Sequence, residues 1–462
     1  MTLIKSISGI RGTIGGEPGD SLSPLDLVKF TAAFAKFLKI SSTKANPSVV
    51  VGRDARVSGE MVNKIVCGTF MSCGFNVTDI GVTTTPTVAI ATTKMKADGA
   101  VVVTASHNPA QWNALKLLNE KGEFINAEEG NKVIELADNE YFDFVSFDRI
   151  GTYEQDSSWM DKHIELILKL PLVDIQAIKK AQYTIVVDAV NSGGGIAIPK
   201  LLHALGVAHV HELHCTPDGK FPHNPEPLPI HLAELSELVI KMKADLGFAV
   251  DPDVDRLAIV DENGEMFGEE YTLVAVADYV MQNEVGNAVS NLSSSRALRD
   301  IATKHDRQYF ASAVGEVNVV ETMKSTDAVI GGEGNGGVIY PALHYGRDAL
   351  VGIALFLSSL ARSGLGCSAL RNQYPRYEMV KDRIQLSKDL DIEQLFKEVA
   401  KVYQNEQLNT TDGIKIDFEH GWVHLRKSNT EPIVRIYAEA NDLQQARELT
   451  SKLIVLIGKL TK

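Results

Sequence analysis

The sequence predicts an α/β protein: two repeated units with parallel βαβ strands, a third region, then a smaller C-terminal α+β unit. Three observations predict this. Strand-like and helix-like segments alternate over most of the chain. Two stretches repeat one plan of strand, Gly/Ser loop, helix, strand and Thr-Pro, ending in SCGFNVTDIGVTTTP and in HALGVAHVHELHCTP. Beyond residue 370 the plan changes to short strands between two helices.

The elements follow in order. SVVVG (48–52) reads as a buried strand, 59–73 as a helix and FNVTDI (75–80) as the next strand. TIVVD (184–188), a helix near 196–205 and a strand near 207–213 repeat the unit. A third unit spans about 256–370, with AVIGGEGNGG at a strand end. The last carries a helix near 391–404, strands near 413–418, 421–426 and 432–438, and a helix at 442–459. GTYEQDSS (151–158) and NQYPRYEMV (372–380) read as linkers. The expected domains are therefore 1–150, 151–255, 256–370 and 371–462.

With 462 residues, the chain needs no disulfide support for its core. Its net charge of −13 argues against a nucleic-acid partner and directs any anion site to a local cationic pocket. Cys67, Cys73, Cys215 and Cys367 form no C-x-x-C pair. The start, MTLIKSISGIRG, has no apolar signal core, and no apolar run approaches ~18 residues. A cytoplasmic enzyme without membrane contact is the expectation.

Five segments carry chemistry. In VVVTASHNPAQWNALK (101–116), Ser106 follows a buried strand, at the edge where parallel sheets bind ligands, and His107, Asn108 and Pro109 fix the loop. A loop serine is ordinarily a cap or turn residue; placed here it can also be a nucleophile or phosphate carrier. In LGFAVDPDVDRLAIVDENGE (246–265), Asp251, Asp253 and Asp255 crowd three charges that a cation must neutralise, and hard oxygens suit Mg2+. The spacing imitates a calcium loop, but Arg256 stands where that loop needs glycine and LAIV is strand-like. An aspartyl phosphatase pattern remains open from spacing alone. VIGGEGNGGVIYP (329–341) contains a literal G-x-G-x-x-G, yet VIYP cannot open the helix a dinucleotide needs. Glu333 and Asn335 suit a polyol instead. LRKSNTEPIVR (425–435) gathers Arg426, Lys427, Ser428, Asn429, Thr430 and Arg435, the donor set a phosphate wants. Arg11 and Arg53 lie in Gly-rich or strand-end positions; as a structural alternative Arg53 could pair with Asp54, or Arg56 with a nearby carboxylate. Six histidines between 203 and 231 match no metal spacing and read as structural or exposed.

Together and in this order, TASHNP, DPDVDR, GGEGNGG and RKSNTEP resemble the signatures of the α-D-phosphohexomutase family, and PDGKFPHNPEP (217–227) is similar to its inter-domain segment. The resemblance covers essentially the whole chain. It implies four domains around a central cleft, the first three related α/β units with mixed or parallel sheets and the fourth a smaller α+β lid-like domain. Ser106 would carry a phosphoryl group, and Mg2+ would be held by Asp251, Asp253, Asp255 and a phosphate oxygen on Ser106. Lys116, Arg11 and Arg256 would surround the transfer centre with His107. Glu333 and Asn335 would hold sugar hydroxyls, while Arg426, Ser428, Asn429, Thr430 and Arg435 would grip the phosphate not being transferred. Lys116 serves as a base only if its pKa is lowered. A hexose 1,6-bisphosphate would be intermediate and activator. The partner would be a phosphosugar, with the chain a monomer or homodimer.

Two departures stand out. Ala114 replaces the glycine of N-G-x-K, and the G-E-x-S-G-H pattern reads Asn335 for Ser and Gly337 for His. Asn in this loop is similar to archaeal-type and acetylhexosamine members, which favours glucosamine phosphate over mannose or glucose phosphate. The alternatives are a sugar-phosphate phosphatase or a non-catalytic phosphosugar-binding protein.

Overall fold

The computed structural model describes residues 2–6, 9–385, 391–427 and 433–460. Their strands form four sheets. The first orders Ile4–Ser6, Gly9–Thr13, Trp112–Asn119, Gly99–Val103, Ser48–Arg53, Asn76–Val82 and Tyr153–Gln155. Ser48–Arg53 is parallel to both neighbours, whereas Gly99–Val103 meets Trp112–Asn119 antiparallel. Alternation sorts the buried valines: Val49 and Val51 pack with Phe34, Val62 and Phe70, and Val50 packs with Val88 on the opposite face. Both faces are covered, which explains the nearly continuous apolar runs.

The second sheet orders Leu257–Asp261, Leu246–Val250, Thr184–Asp188 and His209–Leu213. The third orders Tyr309–Ser312, Asn287–Asn291, Ala328–Glu333 and Gly337–Ile339. One hydrophobic core joins these two units, because helix Ala349–Ser363 lies between them with Phe356 against Phe248 and Phe267. The fourth sheet, Glu378–Gln385, Ile433–Ala440, Gly421–Lys427, Ile414–Phe418 and Gln407–Asn409, is antiparallel throughout. Its apolar face packs on helices Ile392–Val402 and Leu443–Leu460. Among the described residues no helix is long and apolar enough to cross a membrane.

Three boundaries differ from the sequence reading. The division at 255 falls inside the second sheet, since Leu257–Asp261 pairs antiparallel with Leu246–Val250. The 151–158 linker contains Tyr153–Gln155, which closes the first sheet against Asn76–Val82. The 372–380 linker runs into Glu378–Gln385, an edge strand too polar to show an apolar period. Ser106, Asp251 and Glu333 all stand at or just beyond carboxyl ends of strands, where open α/β sheets bind ligands.

Candidate active site

The serine loop is held by a buried arginine. Arg56 is 1% exposed, and its Nε donates to Asp54 Oδ2 at 3.0 Å. Its Nη1 donates to the carbonyls of Pro109 (2.7 Å) and Trp112 (3.0 Å), and its Nη2 to those of Ser106 and Asn108. Thr104 Oγ1 donates to Asp54 Oδ2 at 2.7 Å and accepts the Ser106 N–H at 3.0 Å. This network fixes Ser106 at φ 48°, a left-handed conformation that non-glycine residues keep only where surroundings impose it. The 217–227 segment closes over it, with Phe221 5.0 Å from the Arg56 guanidinium.

The metal loop follows Leu246–Val250. Asp251, Asp253 and Asp255 are fully buried and offer one oxygen each within 4.8 Å of one another. Val254 between them adopts φ 63°, an outlier for a β-branched residue. Ser106 Oγ donates to Asp251 Oδ2 at 2.7 Å, although the two are 145 positions apart. Asp251 Oδ1 accepts the N–H groups of Asp255 and Arg256, both at 3.1 Å. Asp253 Oδ2 takes Lys116 Nζ and Thr85 Oγ1, both at 2.6 Å. Asp255 Oδ2 takes Arg347 Nη2 at 2.7 Å. Oδ1 of Asp253 and Oδ1 of Asp255 are buried without any hydrogen-bond partner. Two orphaned carboxylate oxygens in a closed acidic cage fit a hard divalent cation. Burial and repulsion from Asp255 and Asp253 push the Asp251 carboxyl well above the carboxylate range. Burial acts the same way on Asp253, but Lys116 outweighs it and holds that carboxyl below the usual range.

Lys116, one possible base, lies against two of the three carboxylates. Burial alone would lower the Lys116 pKa, yet Asp253 and Asp255 raise it, so Lys116 is held as a cation. His107 Nδ1 lies 3.3 Å from Ser106 Oγ, but burial and the nearby Arg256 push its pKa down to about 2, so the ring is neutral. Arg11 enters from Gly9–Thr13, whose register sets it beside Ala114, two residues before Lys116; burial lowers its pKa. Arg256 donates to Glu226 at 3.2 Å, while its buried Nε has no partner.

In the sugar loop, Glu333 Oε1 accepts from Asn291 Nδ2 (2.8 Å) and from the Gly315 N–H (3.2 Å). Asn335 Oδ1 accepts the Gly337 N–H at 3.3 Å. The segment after Glu333 forms strand Gly337–Ile339 rather than a helix, as a non-dinucleotide loop requires. Gly334 lies against a buried acid: a Cβ there would fall 1.8 Å from Glu270 Oε2. Burial pushes the Glu270 carboxyl up to about 8 from 4.5 despite Lys381 at 4.0 Å, whose ammonium is closer to Glu269. A folded-state pKa raised this way contributes stability present below about 4.5 that is lost as pH rises towards about 8. Glu270→Gln is therefore expected to flatten stability against pH in that window. Urea unfolding at stepped pH checks it, the wild-type slope approaching ~1.4 kcal/mol per pH unit.

The C-terminal sheet brings the cations. Arg426 and Arg435 are direct cross-strand partners, and Arg383 is the partner of Arg435 on its other side. Three arginines thus share one face in adjacent strands, a concentration of positive charge suited to an anion. Arg426 Nε is 3.1 Å from Asp412, which also accepts the Val314 N–H at 3.0 Å. Val314 adjoins Gly315 on Glu333, so the arginine row is tied to the sugar loop. Ser428, Asn429 and Thr430 lie outside the described residues.

Sequence reasoning missed Arg347, Thr85, Asn291, Glu316 and Arg383, none of which stands in a motif. The loop departure at Gly337 was the one available signal for Arg347.

The chain matches the four phosphoglucomutase/phosphomannomutase domains in order: alpha/beta/alpha domain I over 3–144, domain II over 161–264, domain III over 268–377 and the C-terminal domain over 385–454. A phosphoglucomutase/phosphomannomutase of Thermococcus kodakarensis is 36% identical over 457 residues, 98% of this chain and 99% of that protein. A phosphoglucosamine/phosphogalactosamine mutase of Sulfurisphaera tokodaii is 33% identical over 452 residues, 96% and 97% of the two chains. The crystal structure of a phosphoglucomutase/phosphomannomutase family protein from Burkholderia thailandensis is 25% identical, with a TM-score of 0.84 over 98% of this chain and 96% of that one. Matched in all four domains and along nearly its full length, the chain belongs to the phosphoglucomutase/phosphomannomutase family of phosphohexomutases, which are isomerases.

Proposed function

We propose that the protein moves a phosphoryl group between the 1- and 6-positions of a hexose phosphate, with glucosamine phosphate preferred, through a phosphorylated Ser106. The observation that carries this is the Ser106 hydroxyl, 2.7 Å from Asp251 at the mouth of the three-aspartate cage. The Asn335 loop supports the amino sugar, as do relatives from Methanopyrus kandleri and Pyrococcus abyssi named probable phosphoglucosamine mutases.

The chain's own groups divide the work. Arg56 fixes the serine loop, and Lys116 and Arg11 place positive charge beside it. When bound by Asp251, Asp253 and Asp255, Mg2+ supplies Lewis-acid neutralisation of phosphoryl charge. The phosphoseryl O–P bond breaks as the free sugar hydroxyl forms its own O–P bond, and the hydroxyl proton ends on the freed Ser106 Oγ. The resulting bisphosphate reverses in the cleft, and its other phosphoryl returns to Ser106. Little proton removal must precede bond cleavage in a loose phosphoryl transition state, which suits a site whose lysine is already a cation. Glu333 and Asn335 orient the sugar. Arg426 and Arg435, with Ser428, Asn429 and Thr430, hold whichever phosphate is idle.

The test is intact mass plus turnover. A phosphate on Ser106 and activation of dephosphorylated protein by a trace of hexose 1,6-bisphosphate are expected. Inorganic phosphate released as fast as the sugar phosphate disappears would instead indicate a phosphatase. The arginine row adds a prediction: Arg383→Ala is expected to raise KM about tenfold with kcat retained, the ~1.5 kcal/mol of one charge-assisted hydrogen bond. Steady-state kinetics checks it.

A further inference from the structure

Arg347 is surrounded by acids from three separate elements. Its Nη2 lies 2.7 Å from Asp255 in the metal loop, and its Nη1 3.0 Å from Glu333 in the sugar loop. Its Nε lies 2.8 Å from Glu316, in the first turn of helix Glu316–Ser325. Among the described residues, no other cation forms an ion pair with Glu316 or Glu333, whereas Asp255 also has Lys116 at 3.4 Å. The backbone at 347 is clamped from the other side. Asp348 caps helix Ala349–Ser363 and is paired with buried His163 at 3.0 Å and with His344 at 3.2 Å.

The arginine stem needs room, and position 337 provides it. A Cβ on Gly337 would lie 2.3 Å from Arg347 Cδ and 3.1 Å from its Cγ. Gly337 is also where the sequence departs from G-E-x-S-G-H. Loss of the side chain at 337 and presence of the guanidinium are thus two halves of one arrangement.

We propose that Arg347 is a positioning and specificity-determining residue of the sugar site. It holds Glu333 in place for sugar hydroxyls. It also neutralises Glu316 and Glu333, so that an anionic hexose phosphate can approach, and links the sugar loop to the metal loop. This rests on the mutase reading for the identity of the ligand.

Calorimetric titration with glucosamine 6-phosphate and, separately, with Mg2+ tests it. Arg347→Met is expected to bind the sugar phosphate at least tenfold more weakly, while Mg2+ binds as tightly or severalfold more tightly, because a competing cation has left Asp255. Arg347→Lys, which keeps the charge but not the three-way fork, is expected to fall between. Gly337→Ala, which displaces the stem, is expected to weaken sugar binding alone. Added to Arg347→Met it should change nothing further. Unchanged sugar binding in Arg347→Met would overturn the assignment. So would multiplicative effects in the double variant, or parallel weakening of both ligands with a falling thermal midpoint. A wild-type chain that binds the sugar phosphate but interconverts none would refute the mutase reading and leave this assignment standing on its binding data.

Discussion

Ser106→Ala is expected to abolish interconversion, with kcat falling by about four to six orders of magnitude, the scale on which enzymes respond to loss of a nucleophile. Every turnover under this account passes through an O–P bond to that one oxygen, and no other described hydroxyl donates to Asp251. The fold should be indifferent to the change. Ser106 makes its backbone bonds through Thr104 and Arg56, and among the described residues its hydroxyl hydrogen-bonds with Asp251 and His107. A coupled assay should therefore show the loss while thermal unfolding shows little change. Sugar-phosphate binding should persist, since Glu333, Arg347 and the arginine row are untouched.

Asp251→Asn is expected to separate metal binding from stability. In the metal-free protein Asp251 is crowded by Asp253 and Asp255, and its carboxyl is raised well above the usual range. A neutral amide of the same shape removes that repulsion; with its oxygen kept on the Asp255 and Arg256 N–H groups, its NH2 faces Ser106, whose hydroxyl accepts instead of donating. The metal-free thermal midpoint should thus stay level or rise. Wild-type protein should gain ~2.7 kcal/mol when Mg2+ stands at a hundred times its Kd, and the variant should gain nothing comparable. Its kcat should fall by roughly a thousandfold or more, the size of a lost electrostatic clamp on a transferring phosphoryl. Scanning calorimetry with and without Mg2+ checks the first part, and chelation of the wild type should reproduce the second.

The residues of the proposed site are readable where they lie close together in sequence. Asp251, Asp253 and Asp255 announce their cage by spacing, and Ser106 by its place after a strand. Residues that complete the site from a distance gave no signal. Thr85 reaches Asp253 across 168 positions, and Arg347 reaches Asp255 across 92. Arg383 joins the arginine row only through strand register, from polar strand Glu378–Gln385 beyond the 372–380 stretch read as a linker. For Lys116 the motif gives the position in the chain and not the charges around it. Its position beside the serine loop follows from the motif, but its charge is set by two carboxylates that tertiary folding brings within 2.6 and 3.4 Å. Domain limits blurred for a related reason. An antiparallel strand returns at 257–261, and the second and third units share one core, so chain position alone cannot divide them.

Label transfer examines the phosphoserine most directly. Protein carrying a radiolabelled phosphoryl on Ser106 is mixed with unlabelled glucosamine 6-phosphate and Mg2+ in a single turnover. The label is expected to leave the protein and appear in hexose bisphosphate and then hexose monophosphate, with an unlabelled phosphoryl returned to Ser106. Label that remains on the protein while sugar isomerises, or that emerges as inorganic phosphate, would contradict transfer through this serine.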